Sequence, residues 1–109
     1  MNVRELAEKL NLSVLTGDAG IDRQIDGCYI GDLLSWVMSK AKAGNVWLTI
    51  MSNINTVAVC TLTDAACIVL CEDVTAEDDV IARAIEQDIP ILKSSLAAYE
   101  LACKLHEIL

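Results

Sequence analysis

Three short apolar runs, Val46–Ile50 (VWLTI), Cys67–Cys71 (CIVLC) and Ile89–Leu92 (IPIL), constrain the fold more than any other feature of the chain. Each is far below the ~20 apolar residues that a membrane span needs, and each reads as a strand. If neighbouring runs lie parallel, the chain between them must cross over, usually as a helix. Segment 72–88 supplies one such helix. Thr75 stands as its N-cap, Asp78 in the capping-box position, and Val80, Ile81, Ala84 and Ile85 recur at core-facing spacing up to Asp88. Thr56–Leu62 is open between two readings. Its Val and Thr content favours a strand, whereas a crossover between Val46–Ile50 and Cys67–Cys71 demands a helix, buried all round because it is so apolar.

The remaining segments fall into place around these runs. Asn2 caps a helix over Val3–Leu10, with Val3, Leu6, Ala7 and Leu10 at helical spacing. A short strand is expected at Ser13–Thr16 and an extended segment at Gln24–Ile30, separated by the breakers Gly17-Asp18 and Gly20. Asp32 is the expected N-cap of a helix to about Ala41, whose buried stripe would be Leu33, Leu34, Val37, Met38 and Ala41. Gly44 ends it. Pro90 lacks an N–H donor and belongs at a strand start or edge. Ser94 or Ser95 starts the last helix, Leu96–Leu109, with Ala98, Leu101, Ala102, Leu105 and Ile108 inward. The expected fold is therefore α/β, with a mainly parallel sheet of about four to five strands, helices packed on it, and a short N-terminal helix and strand in front. With 109 residues and no linker or composition break, residues 1–109 are expected to form one domain burying roughly 60–70% of its unfolded surface.

Sixteen acidic against eight basic side chains give a formal charge of −8. That field repels phosphate backbones and anionic lipid surfaces, which argues against nucleic-acid and membrane partners. The opening residues Met1-Asn2-Val3-Arg4-Glu5 lack the apolar region of a signal peptide, so a cytoplasmic location is expected. The five cysteines, Cys28, Cys60, Cys67, Cys71 and Cys103, are odd in number and contain no Cys-X-X-Cys pair. Four sit in apolar runs, where a thiol behaves as a small hydrophobe in a reducing compartment. Cys67 and Cys71 would face one side of a strand about 13 Å apart, beyond the reach of one metal ion. All five thiols are expected free, with no metal or cofactor.

The wording Asp32–Met38 (DLLSWVM), the Trp-X-Thr-Ile strand at Trp47–Ile50, the Asn-containing turn that follows, and Ile-Pro-Ile-Leu at 89–92 together resemble a DRTGG domain. The resemblance runs from NVRELAEKL at the N-terminus to YELACKLHEIL at the C-terminus. It places a helix at about Asn55–Ala65, which settles the open segment as a crossover. Such domains accompany CBS domains in nucleotide-regulated pyrophosphatases, occur in phosphotransacetylases and resemble the N-terminal region of HPr kinases. The resemblance implies a regulatory role. It implies no phosphoryl transfer, because no Gly-X4-Gly-Lys-Ser/Thr phosphate loop is present. In relatives the naming residues, an Asp-Arg pair and a Thr-Gly-Gly, follow the central strands. Here Ser52-Asn53 stands near the first and Cys71-Glu72-Asp73 near the second, which removes the groups best suited to hold phosphate.

In a parallel sheet the loops leaving the carboxyl ends of the strands gather on one rim. The residues expected there are Asp32, Ser52, Asn53, Asn55, Glu72, Asp73, Ser94 and Ser95, a polar set in which helix N-termini could receive an anion or a carbonyl oxygen. Asp32, Asn55 and Ser94 or Ser95 read more readily as helix caps than as ligand-binding residues. His106 shares a helix side with Tyr99 and Cys103, but a Cys-His pair on a half-exposed last turn lacks the third orienting group of a nucleophilic site. No catalytic residue set emerges. Glu72, Asp73, Asp78 and Asp79 form the densest acidic patch, which the positive end of a helix dipole explains without a cation. Trp36 falls about 130° from the centre of its helix's apolar stripe, beside Ser39 and Lys40, which leaves two readings open: a contact surface, as an interface tryptophan, or a ring folded against a neighbouring loop. The expectation is a non-enzymatic regulatory or assembly module, homodimeric and acting on a protein target in trans. The alternative is a small-molecule sensor, with an adenine nucleotide as the first ligand to consider at the rim.

Overall fold

A computed structural model describes residues 1–109. The chain runs α1 (Val3–Lys9), β1 (Ser13–Val14), β2 (Cys28–Ile30), α2 (Leu34–Lys40), β3 (Val46–Thr49), α3 (Ile54–Thr63), β4 (Cys67–Leu70), α4 (Asp78–Glu86), β5 (Ile91–Lys93) and α5 (Ala98–Ile108). The strands form one five-stranded sheet in the order β1-β5-β4-β3-β2, parallel from β2 to β5 and closed at one edge by antiparallel β1. This is the expected α/β fold. The segment left open between strand and helix is the helix α3. No helix is long and apolar enough to cross a membrane.

From β2 to β5 the chain steps across the sheet in one direction, so right-handed crossovers put α2, α3 and α4 on the same face. There Trp47, Ile68, Leu70 and Ile91 of the strands pack against Val37, Val57, Val80 and Ala84. After β5 the chain does not return to the sheet, and α5 takes the opposite face with α1. Val46, Leu48, Cys67, Val69 and Leu92 meet Val3, Leu6, Leu101 and Leu105 on that side. β3 and β4 are buried at all four of their positions, which is why they read as unbroken apolar runs. Pro90 lies just before β5, where its missing N–H costs nothing. Gly20, at φ +60°, packs so closely on the turn between α4 and β5 that a Cβ there would overlap the Asp88 carbonyl.

The helix ends, that of α1 apart, differ from the sequence expectation. Asn2 does cap α1, in a reciprocal box with Glu5. Asn53, not Asn55, caps α3 by accepting from the Thr56 N–H at 3.2 Å, and Asn55 lies inside the helix. The N-cap positions of α2, α4 and α5 are Leu33, Glu77 and Ala97, none with a side-chain cap bond, so Asp32, Thr75 and Ser94 or Ser95 do not cap them. The α2 stripe is also narrower than expected. Val37 is buried and Leu34 and Ala41 pack partly on the core, but Leu33 and Met38 are exposed. α2 has one helical neighbour, α3, because it lies at the end of its layer. In α3, Ala58, Thr61 and Leu62 reach solvent, so that helix is not buried all round; Ile85 of α4 is likewise exposed.

Candidate functional site

The carboxyl ends of the parallel strands form the rim, and each sequence-predicted residue has a definite position there. Asp32 Oδ1 accepts from Thr49 Oγ1 at 2.8 Å and from the Ile50 N–H at 3.0 Å. Thr49 Oγ1 in turn accepts from the Met51 N–H at 3.1 Å. Asp32 therefore ties the loop after β2 to the end of β3, where strand pairing has run out and backbone donors need acceptors. Trp47 secures the same loop: its buried indole Nε1–H donates to the Gly31 carbonyl at 2.9 Å.

Glu72 and Asp73 both have left-handed backbones, with φ 57° and 62°. Glycine adopts this conformation freely and other L-residues adopt it at a cost. The turn keeps the backbone that a Gly-Gly pair would take, although its side chains are carboxylates. Its N–H groups are used internally: Glu72 donates to the Leu96 carbonyl at 2.9 Å and Asp73 to the Ser94 carbonyl at 2.8 Å. Ser94 is buried, and its Oγ accepts from the Leu96 N–H at 3.1 Å. The Asp73 carboxylate pairs with Lys93 Nζ at 3.2 Å.

These bonds divide the rim. α4 and α5 leave β4 and β5 toward opposite faces, the arrangement that opens a crevice in many α/β sheets. Here the backbone bonds from Glu72 and Asp73 to the loop after β5 close it. Two separate concavities result. Ser52, Asn53 and Asn55 line one of 550 Å³ together with Glu77 and Asp79, which the sequence reading did not single out as rim residues. Asp73, Ser94 and Ser95 line another of 240 Å³ with Asn11, Ser13 and Lys93. The eight predicted residues thus do not converge on one pocket. A third concavity, a groove of 220 Å³ between α3 and α4 lined by Ile54, Val57, Leu62 and Arg83, shares Ile54 with the first.

The charge of the rim is strongly one-sided. Asp32, Glu72, Asp73, Glu77 and Asp79 face a single cation, Lys93, which Asp73 already holds. Cys71 registers the excess. Burial raises its thiol pKa, the Asp32 and Glu72 carboxylates push it the same way, and the hydrogen bond at the Thr49 backbone opposes them. The core thiols are further from ionisation: burial lifts Cys60 to about 12 and Cys67 well above its ordinary value. Such thiols are poor nucleophiles and poor metal ligands. No three His, Cys, Asp or Glu side chains converge to hold a metal ion. His106, Tyr99 and Cys103 lie on exposed positions of α5.

The exposed large apolar side chains are unevenly distributed. Of the nine, Ile30, Leu33, Trp36 and Met38 fall in the continuous stretch of β2 and α2, and Ile50 adjoins it through its bond to Asp32. Trp36 is 58% exposed, with Lys40 Nζ 5.3 Å from its ring centroid.

Comparison with known proteins connects this fold to one family. The model of the DRTGG domain matches residues 5–108. Among solved structures, the chain is similar to the CBS and DRTGG domains of the regulatory region of Clostridium perfringens pyrophosphatase, complexed with its activator, diadenosine tetraphosphate. The TM-score is 0.72 at 7% sequence identity, and the match covers 95% of this chain and 45% of that one, so it is a likeness of fold over less than half of the longer protein. Comparison with the curated proteins gives no significant match. The family match spans all the parallel strands and every helix but the first residues of α1, and the chain belongs to the DRTGG domain family.

Proposed function

We propose that this chain is a non-enzymatic regulatory or assembly module that pairs with a second copy of itself and acts on a partner protein through association. The observation that carries the reading is the apolar stretch of β2 and α2, where Ile30, Leu33, Trp36 and Met38 stand in solvent on a small domain. Exposed apolar residues at one edge of the sheet, Ile30 on the face of α5 and Leu33 and Trp36 on that of α2, are the mark of a contact surface when a tryptophan is among them. Family membership supports a regulatory role, since the similar pyrophosphatase domains come from a regulatory region. Sedimentation equilibrium at micromolar concentration tests the pairing. A dimer is expected, and a monomer of 11.8 kDa throughout that range overturns it. Intact-complex mass spectrometry of the protein isolated from its native extract identifies the target.

The second reading, an adenine-nucleotide sensor at the rim, is favoured by the diadenosine tetraphosphate complex of the similar structure. The rim's own chemistry opposes it. Five carboxylates against one paired lysine repel phosphate, and the helix N-terminus of α3 has its Thr56 donor already taken by Asn53. Backbone amide shifts distinguish the readings. Millimolar nucleotide is expected to leave Ser52, Asn53, Asn55, Glu72, Asp73 and Ser95 unperturbed. Shifts there that Asn53→Ala abolishes would put the sensor reading first.

A further inference from the structure

We infer that the free edge of β2 pairs antiparallel with β2 of a second copy about a two-fold axis at Tyr29, joining two sheets into one. The inference rests on the self-association proposed above and specifies how it is made. The ladder to β3 assigns the two sides of β2. Val46 N–H donates to the Gly27 carbonyl and Gly31 N–H to the Leu48 carbonyl, with Tyr29 opposite Trp47 between them. Gly27, Tyr29 and Gly31 therefore direct their backbone groups to β3, and Cys28 and Ile30 direct theirs outward, where the sheet ends. An open edge of this kind is a template for another strand unless it is blunted or covered. The opposite edge, β1, is bordered by exposed Ser13 and the polar loops at Asn11 and Gly17-Asp18. Only β2 is bordered by exposed large apolar side chains, Ile30, Leu33 and Trp36.

Charge selects a second copy as the occupant. The acidic end of this surface is Asp32, at the carboxyl end of β2. The basic end is Lys40 and Lys42, which share a concavity with Asp26, Gly27, Cys28 and Tyr29 at the amino end. Arg4, Arg23, Arg83 and Lys93 are held in ion pairs, but Lys40 and Lys42 are not. A two-fold axis at Tyr29 reverses the strand, so that Asp32 of the second copy comes to the end that carries Lys40, Lys42 and Asp26. Each junction then holds two cations and two anions, which balances locally in a chain whose formal charge is −8. Two copies of α2 would run antiparallel on the same face, with Leu33 and Trp36 of each filling the space between them. Cys28 would lie opposite Ile30 of the second copy, and the two residues would exchange N–H and C=O bonds.

Amide hydrogen exchange of the native protein above and below its dimer dissociation constant, read at Cys28 and Ile30, is the test. Protection of both amides that rises at least tenfold with the dimer fraction is expected. As a second measurement, Ile30→Cys in a Cys103→Ser background should oxidise to a covalent dimer through Cys28. The same change with Cys28→Ser should not, because the introduced thiols of the two copies would be offset along the strands. A dimer by sedimentation with no change in these two amides overturns the inference and leaves self-association standing. A monomer at all concentrations overturns both. Protection that appears in a monomer only when another protein is bound overturns the inference in favour of a foreign strand at this edge.

Discussion

Replacing Glu72 with glycine should stabilise the domain, although it removes a charged side chain from the candidate site. Glu72 sits at φ 57° and is followed by Asp73 at φ 62°, two left-handed residues in succession. Holding a non-glycine residue there costs about 1–2 kcal/mol, against ~0.5–1 kcal/mol for the greater unfolded-state freedom of glycine. The Glu72 side chain makes no hydrogen bond or ion pair that would be lost, and its backbone bond to the Leu96 carbonyl survives the substitution. The net gain for Glu72→Gly is then about 0.5–1 kcal/mol. With a urea m-value of ~1–3 kcal/mol per M, the midpoint should rise by roughly 0.2–1 M at unchanged slope. Glu72→Ala keeps the strain and should not stabilise. Asp73→Gly relieves the same strain but loses the Lys93 pair, worth at most about 1 kcal/mol at this exposure, and should come out near neutral. Because Glu72 also raises the Cys71 thiol, Glu72→Gly should move that pKa down. Equal midpoints for Glu72→Gly and Glu72→Ala would refute the argument, since strain relief is the only difference between them that favours glycine.

Asp32→Ala leaves the buried Thr49 hydroxyl and the Ile50 N–H without their acceptor and should destabilise by about 1–3 kcal/mol in urea unfolding, with Asp32→Asn recovering most of the loss. Thiol labelling of the native protein at pH 8 should reach exposed Cys103 first and Cys28 more slowly, since burial and the neighbouring Cys71 push Cys28 up to about 11; Cys60, Cys67 and Cys71 should label only on unfolding. The raised Cys60 and Cys67 pKa values also set a pH dependence. Above pH 9 the unfolded chain loses these protons while the folded chain keeps them, so stability should be full below that pH and fall between 9 and about 12 in urea midpoints taken across the range.

The sheet was legible in the sequence because β3 and β4 are covered on both faces and must be apolar throughout. Their separation then required a crossover, and the crossover made Thr56–Leu62 a helix. The caps were less legible for a reason visible in Asp32 and Ser94. Both have the short polar side chain that suits an N-cap, but each has a closer unpaired donor elsewhere, the Thr49 hydroxyl and Ile50 N–H for Asp32 and the Leu96 N–H for Ser94. Sequence spacing cannot weigh a donor supplied by another strand. The division of the rim was hidden for a related reason. It follows from α5 taking the face opposite α4 and from the Glu72-Asp73 turn bonding across to Ser94 and Leu96, and neither leaves a periodic signal. The exposure of Leu33 and Met38 reflects the position of α2 at the end of its layer, a matter of strand order rather than of helical spacing. Trp36 could be placed off the core face from the wheel alone because Val37, beside it, is the residue that anchors the helix.

The central claim is that this domain works by association through the β2 and α2 surface, and sedimentation equilibrium of the native chain beside Trp36→Ala and Leu62→Ala tests it most directly. Trp36 and Leu62 are both exposed apolar residues, at 58% and 71%, on different helices. A buried interface tryptophan contributes about 2 kcal/mol or more, so Trp36→Ala should weaken dimerisation by roughly 30-fold or more. Leu62→Ala should leave the association constant unchanged, with circular dichroism confirming that all three proteins are folded. An association constant that is the same in Trp36→Ala as in the native chain, or a native chain that stays at 11.8 kDa across the micromolar range, would contradict the account.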